Sequence, residues 1–147
     1  MKSFSTTLLI AIARQTPDGW FIGSVSVGDG LIGLIAEDTD PLMIARDSGE
    51  FAGQTQFLHH DALASLETRI QHTTVPHFTA LIAMTDGVSD PMFDSDNAAL
   101  TPKAWDAFYD QIKDFDETAL LDWLNFKIKG EHDDRTIAIL RPKDPTT

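Results

Sequence analysis

The apolar run Phe78-Thr79-Ala80-Leu81-Ile82-Ala83-Met84, closed at once by Thr85-Asp86-Gly87, constrains this chain more than any other segment. It reads as a buried strand, and the glycine lets the backbone turn sharply where the strand ends. The Asp86 carboxylate is thereby delivered to the rim of a sheet. A carboxylate held that way is a natural ligand for a hard cation such as Mg2+ or Mn2+. Asp133-Asp134 marks a second strand boundary, just before the run Arg135 to Arg141. If the two strands are antiparallel neighbours, Asp86 and Asp133 meet at one rim. Asp-Gly and Asp-Asp also favour ordinary turns, so spacing alone leaves the turn reading open beside the metal one.

Upstream, strand-like stretches over 4–14, Trp20–Val27 and Leu31–Ile35 are separated by Pro17-Asp18-Gly19 and Asp29-Gly30. Asp-Gly is the pair favoured in two-residue hairpins, so these strands are predicted to form a three-stranded antiparallel meander. Residues 37–55 are turn-rich, and Gln56–His59 reads as a short strand. Arg69–Val75 and Phe78–Met84 form a further strand pair across Pro76. Thr101 caps a helix with Pro102 in its first turn, and Trp105, Phe108, Tyr109 and Ile112 recur at helical spacing. Asp116 caps a second helix with Leu120, Leu121, Leu124 and Ile128 on its apolar face and Gly130 at its end. The strand Arg135–Arg141 stops at Pro142, leaving 143–147 as a frayed tail. The class is α+β: strands first, then two helices inserted before a final strand, in a single domain over 1–147.

Composition bears mainly on partners. A chain of 147 residues with 42% hydrophobic residues and 9 Phe is one folded globular domain rather than a disordered segment. No run approaches the roughly 18 apolar residues of a membrane helix. Lys2 followed by Leu8–Ala13 is rejected as a signal peptide, because polar residues intervene and no small-residue cleavage site follows. The absence of Cys excludes disulfides and thiolate chemistry and is compatible with a cytoplasmic location. With 11 Lys and Arg against 23 Asp and Glu, the net charge of -12 repels nucleic acid and anionic membrane surfaces. A phosphate substrate would need that field offset locally, which bound divalent cations would do.

Other motifs carry less. His59 and His60 are adjacent on a strand and point to opposite faces, so they do not readily share an ion. With His72 and His77 they read as surface or core residues. Asp94-Ser95-Asp96-Asn97 begins like a calcium loop, but Ala99 and Trp105 stand where that loop needs Gly and Glu. Trp105, Phe108 and Tyr109 read as core. Arg46 and Arg135 are candidate phosphate contacts, although most arginines are solvated surface charges.

Taken in order, these segments resemble the PPM-type (type-two-C) metal-dependent Ser/Thr protein phosphatases, in particular bacterial members. Ser5-Thr6-Thr7-Leu8-Leu9 is similar to the family's small-residue/Thr strand, and Val27-Gly28-Asp29-Gly30 to its Val-Gly-Asp-Ser turn. Gly49-Glu50-Phe51 through Thr55-Gln56-Phe57-Leu58 resembles the loop leading to the next strand. Thr85-Asp86-Gly87 and Asp133-Asp134-Arg135-Thr136 complete the register across nearly the whole chain. The resemblance implies an α-β-β-α sandwich, and hydrolysis of phosphoserine or phosphothreonine in proteins by water held between two Mn2+ or Mg2+ ions. Carried over by position, Asp86 and Asp133 are metal ligands, Asp134 and Gly87 support them, and Asp29 supports the fold of the turn.

The departures matter equally. The family carries an Asp-Gly-His-Gly-Gly-like metal motif and a phosphate-binding Arg ahead of the Thr strand. No Asp-Gly pair here is followed by His-Gly. The expectation is therefore a domain whose N-terminal part is missing, with half a metal site and no efficient phosphatase activity on its own. Exposed sheet edges would then favour self-association or an N-terminal partner segment. The alternative is a non-catalytic PPM-like binding or regulatory module.

Overall fold

The computed structural model describes residues 6–36, 42–44, 57–58, 66–93, 101–127 and 133–143. Strands β1 (Leu8–Thr16) and β2 (Gly19–Val27) form an antiparallel hairpin across Pro17-Asp18, and β5 (Ile70–Val75) pairs with the far side of β2. The second sheet has the order β4-β3-β6-β7, built from β4 (Leu42–Ile44), β3 (Leu31–Ile35), β6 (Ala80–Met84) and β7 (Ile137–Leu140). All its pairings are antiparallel. Among the described residues, three α-helices lie between β6 and β7: α1 (Asp86–Met92), α2 (Pro102–Ile112) and α3 (Glu117–Leu124). The class is α+β, as the element pattern predicts.

The predicted meander is corrected. β2 and β3 are not paired, because Val27-Gly28-Asp29-Gly30 carries the chain from one sheet to the other. Gly28 takes a φ of +113°, a conformation L side chains rarely adopt, and this lets the backbone cross. β5 and β6 likewise belong to different sheets, so Pro76 marks a second crossing and not a hairpin. An Asp-Gly turn signal reports a tight reversal but does not specify which sheet receives the next strand.

The crossings explain why β3 and β6 are so apolar. Leu31, Ile35, Ala80, Ile82 and Met84 join a core with Val88, Phe93, Trp105, Phe108 and Ile112 of the helical side. The alternate residues Ile32, Leu34 and Leu81 pack with Ile22, Val75 and Phe78, and with half-buried Leu9, Ala11 and Ala13 of β1. Both faces of these strands are thus out of water, which favours a continuous apolar run over alternation.

The helices begin where their caps predict. The Thr101 hydroxyl accepts the Ala104 N–H at 3.4 Å and the Asp116 carboxylate accepts the Ala119 N–H at 2.8 Å. Trp105 and Ile112 are fully buried and Phe108 nearly so. α3 ends at Leu124, earlier than the predicted stop at Gly130, and Leu121 lies on its solvent side at 58% exposure. Ile128, Gly130 and the tail beyond Lys143 lie outside the described residues, as do Arg46, His59, His60 and Asp94–Asn97. Phe57–Leu58 is not a strand, although the Leu58 N–H donates to the Thr6 carbonyl at 2.6 Å.

Candidate functional site

β6 and β7 are antiparallel neighbours with Met84 opposite Ile137, so Thr85 emerges beside Thr136. Thr85 closes the junction. Its N–H donates to the Thr136 carbonyl at 3.0 Å, and its hydroxyl accepts the Thr136 N–H at 3.0 Å and donates to the Asp134 carbonyl at 3.2 Å. The side chain is therefore committed across the strands and does not cap α1, whose first turn is closed by the Thr85 carbonyl instead.

This junction brings the acids together. Asp86 opens α1, and its carboxylate accepts the Gly87 N–H at 2.8 Å. Gly87 lets the chain before β7 approach closely: a Cβ there would lie 2.6 Å from the Asp134 carbonyl oxygen and 3.2 Å from the Asp133 Cβ. Asp86 titrates above its ordinary carboxylate range. Partial burial is the main cause, followed by the negative charges of Asp29, Asp90 and Asp133. Three acids from three segments thus bear on one carboxylate: Asp29 from the β2–β3 crossing, Asp90 one turn along α1, and Asp133 ahead of β7. Asp86 and Asp29 also line an open cleft of about 190 Å³ with Thr7, Leu9, Gly30, Phe57 and Thr85.

The sequence-predicted residues fare as follows. Asp86, Gly87 and Asp133 come to one rim, and Asp29 faces the same carboxylate. Asp134 reaches the junction through its main-chain carbonyl. Sequence reasoning misses Asp90, whose signal is its place four residues after Asp86 on a helix that the Gly and Pro of Asp86–Met92 conceal. It also misses the Thr85 cross-strand bonds, which depend on long-range pairing. His72 does not join the site; it stacks on Phe21 with ring centroids 5.9 Å apart.

The donor set suits a hard cation in its chemistry. The charges of Asp29, Asp90 and Asp133 act on a partly buried acid and disfavour its ionised form, and a bound cation would relieve that repulsion. It is not a closed cage: among the described residues no three His, Asp or Glu side chains are grouped closely enough to hold a metal ion. Among the described residues, too, no helix is long and apolar enough to cross a membrane.

The family model for protein phosphatase 2C matches residues 1–125, from before β1 to just past α3. No curated protein and no solved structure gives a significant match. The matched span takes in Asp29, Asp86 and Asp90 but stops before Asp133, which the β6–β7 pairing brings to the rim independently. By that span, which covers both sheets' crossings and the acid-glycine junction, the chain belongs to the protein phosphatase 2C family.

Proposed function

We propose that this domain takes part in metal-dependent hydrolysis of phosphoserine and phosphothreonine in proteins, on the rim defined by Asp86 and Asp133. The observation that carries the reading is the meeting of these two acids at the antiparallel β6–β7 junction, with Asp29 facing Asp86 from the other sheet's crossing. Membership in the phosphatase family supports the reaction class. Asp86 and Asp133 would hold Mn2+ or Mg2+, which when bound supplies a water activated for attack on phosphorus and charge to offset the acidic surface. Thr85 fixes the two strand ends to each other. Gly87 keeps the acids close, and Asp134 and Asp29 support the rim. The α-β-β-α layering of the family is the architecture we propose for the domain, in a cytoplasmic setting.

Two carboxylates hold a cation weakly, so turnover by these residues alone is slow. The lack of a grouped third ligand among the described residues favours a second reading, a PPM-like module that binds phosphoprotein without turning it over. Hydrolysis of para-nitrophenyl phosphate with and without Mn2+ separates the two. Slow, Mn2+-dependent turnover abolished by Asp86→Asn is the expected result for the enzyme. Binding of a phosphopeptide with no turnover at any Mn2+ concentration would establish the module instead.

A further inference from the structure

We propose that Arg135 is the positioning residue of the acidic rim, holding the Asp133-Asp134 segment between α1 and α3 so that Asp133 faces Asp86. The proposal rests on the metal-rim reading above and assigns Arg135 a role distinct from contact with phosphate.

The guanidinium donates in two directions. Its Nε gives a hydrogen bond to the Gly87 carbonyl at 3.1 Å, and Nη1 donates to the Leu124 carbonyl at 3.2 Å and to the Phe126 carbonyl. Its Cζ also lies 3.9 Å from the centre of the Phe126 ring. Both ends of this bridge answer a need set by the sequence. In α1 the Gly87 carbonyl would ordinarily accept from the residue four positions on, but that residue is Pro91, which has no N–H. Arg135 supplies the missing donor. α3 ends without a basic residue in its last turn, and Arg135 reaches the carbonyl of its last residue, Leu124, and that of Phe126 just beyond it.

The geometry requires arginine. A planar fork donates to carbonyls on separate elements at once, whereas the lysine ammonium is a single point. Arg135 is also contiguous with Asp133 and Asp134, so tying its head group to Gly87 fixes the segment that carries both acids beside Asp86. Arg141 supplies a control at the other end of β7. Its Nη2 donates to the Ile112 carbonyl at 3.1 Å, the same service to α2, with no part in the rim.

The test compares Arg135→Met, Arg135→Lys and Arg141→Met by amide hydrogen exchange and by Mn2+ calorimetry, at a temperature where all remain folded. Arg135→Met is expected to lower protection of the Thr85 and Thr136 amides about tenfold or more relative to Thr79, whose N–H bonds to Ile35 at the far end of β6. It is expected to weaken Mn2+ binding roughly 10- to 100-fold, the usual effect of losing a group that orients a ligand. Arg135→Lys should restore neither in full, and Arg141→Met should spare both. Equal protection loss at all three amides, with an Mn2+ affinity no lower than that of Arg141→Met, would reduce Arg135 to a helix cap and overturn the proposal. If the wild-type chain binds no Mn2+, the metal reading fails by itself, and the exchange pattern still decides whether Arg135 fixes the rim.

Discussion

Asp86 bears a charge that its surroundings disfavour, since burial and the acids Asp29, Asp90 and Asp133 all raise its pKa while only the Gly87 N–H lowers it. A carboxylate whose folded pKa is raised binds its proton more tightly in the native state. The native state therefore loses stability relative to the unfolded chain as pH climbs from the ordinary carboxylate range through the raised pKa, and the penalty is present above it. Asp86→Asn keeps an acceptor for the Gly87 N–H and removes the charge. It should raise Tm at pH 7 without metal and leave Tm unchanged near pH 3, as scanning calorimetry at the two pH values would show. A lower Tm at pH 7 would mean that the carboxylate is stabilising. Gly87→Ala tests the other half of the junction, because the added methyl meets the Asp134 carbonyl oxygen at 2.6 Å. The expected cost is about 1–3 kcal/mol in urea unfolding, accompanied by weaker Mn2+ binding.

At the scale of elements, α2 is anchored by a packing pair that no helical pattern reveals. The Trp105 ring lies where a Cβ on Gly33 would be, so the indole rests directly on the backbone of β3. Phe93 and Phe108 flank it with ring centroids 5.0 and 6.0 Å away. Trp105→Ala should cost about 3–5 kcal/mol and Gly33→Ala about 1–3 kcal/mol. Because the two share one contact, their effects should be non-additive in a double-mutant cycle. Helix caps and the strand character of β1, β2, β3, β5 and β6 are legible in the sequence because they depend on local chemistry. The allocation of strands to sheets is not, since Asp29-Gly30 and Pro76 specify turning without specifying a destination. α1 is hidden for a related reason: Gly87 and Pro91 oppose a helix locally, and the cross-strand bonds of Thr85 and Arg135 hold it from outside. The acids of the rim were legible as strand-end carboxylates, but Asp90 and the clamp on Gly87 required the tertiary fold.

For the molecule as a whole, the three-stranded sheet presents an apolar outer face. Ile10 and Ile70 flank the buried Val25 in one cross-strand row, with Ile12 beside Ile10 on β1. Ile10 is 43% exposed, and Ile12 and Ile70 are 53% exposed, among the described residues. The net charge of -12 opposes association between copies, so the apolar area must outweigh that repulsion for the face to be covered. We expect light scattering after size exclusion to show mass rising with concentration, and Ile12→Lys to suppress the rise. A monodisperse 16.2 kDa species at high concentration would count against self-association. The central claim concerns the acidic rim, which lies on the other sheet, at the β6–β7 junction where Asp86 and Asp133 are proposed to share one cation. Mn2+ calorimetry on the wild type, Asp86→Asn, Asp133→Asn and the double variant tests it most directly. Two acids sharing one cation predict measurable binding by the wild type, a large loss in either single variant, and little further loss in the double. No binding by the wild type, or binding that survives both substitutions, would contradict it.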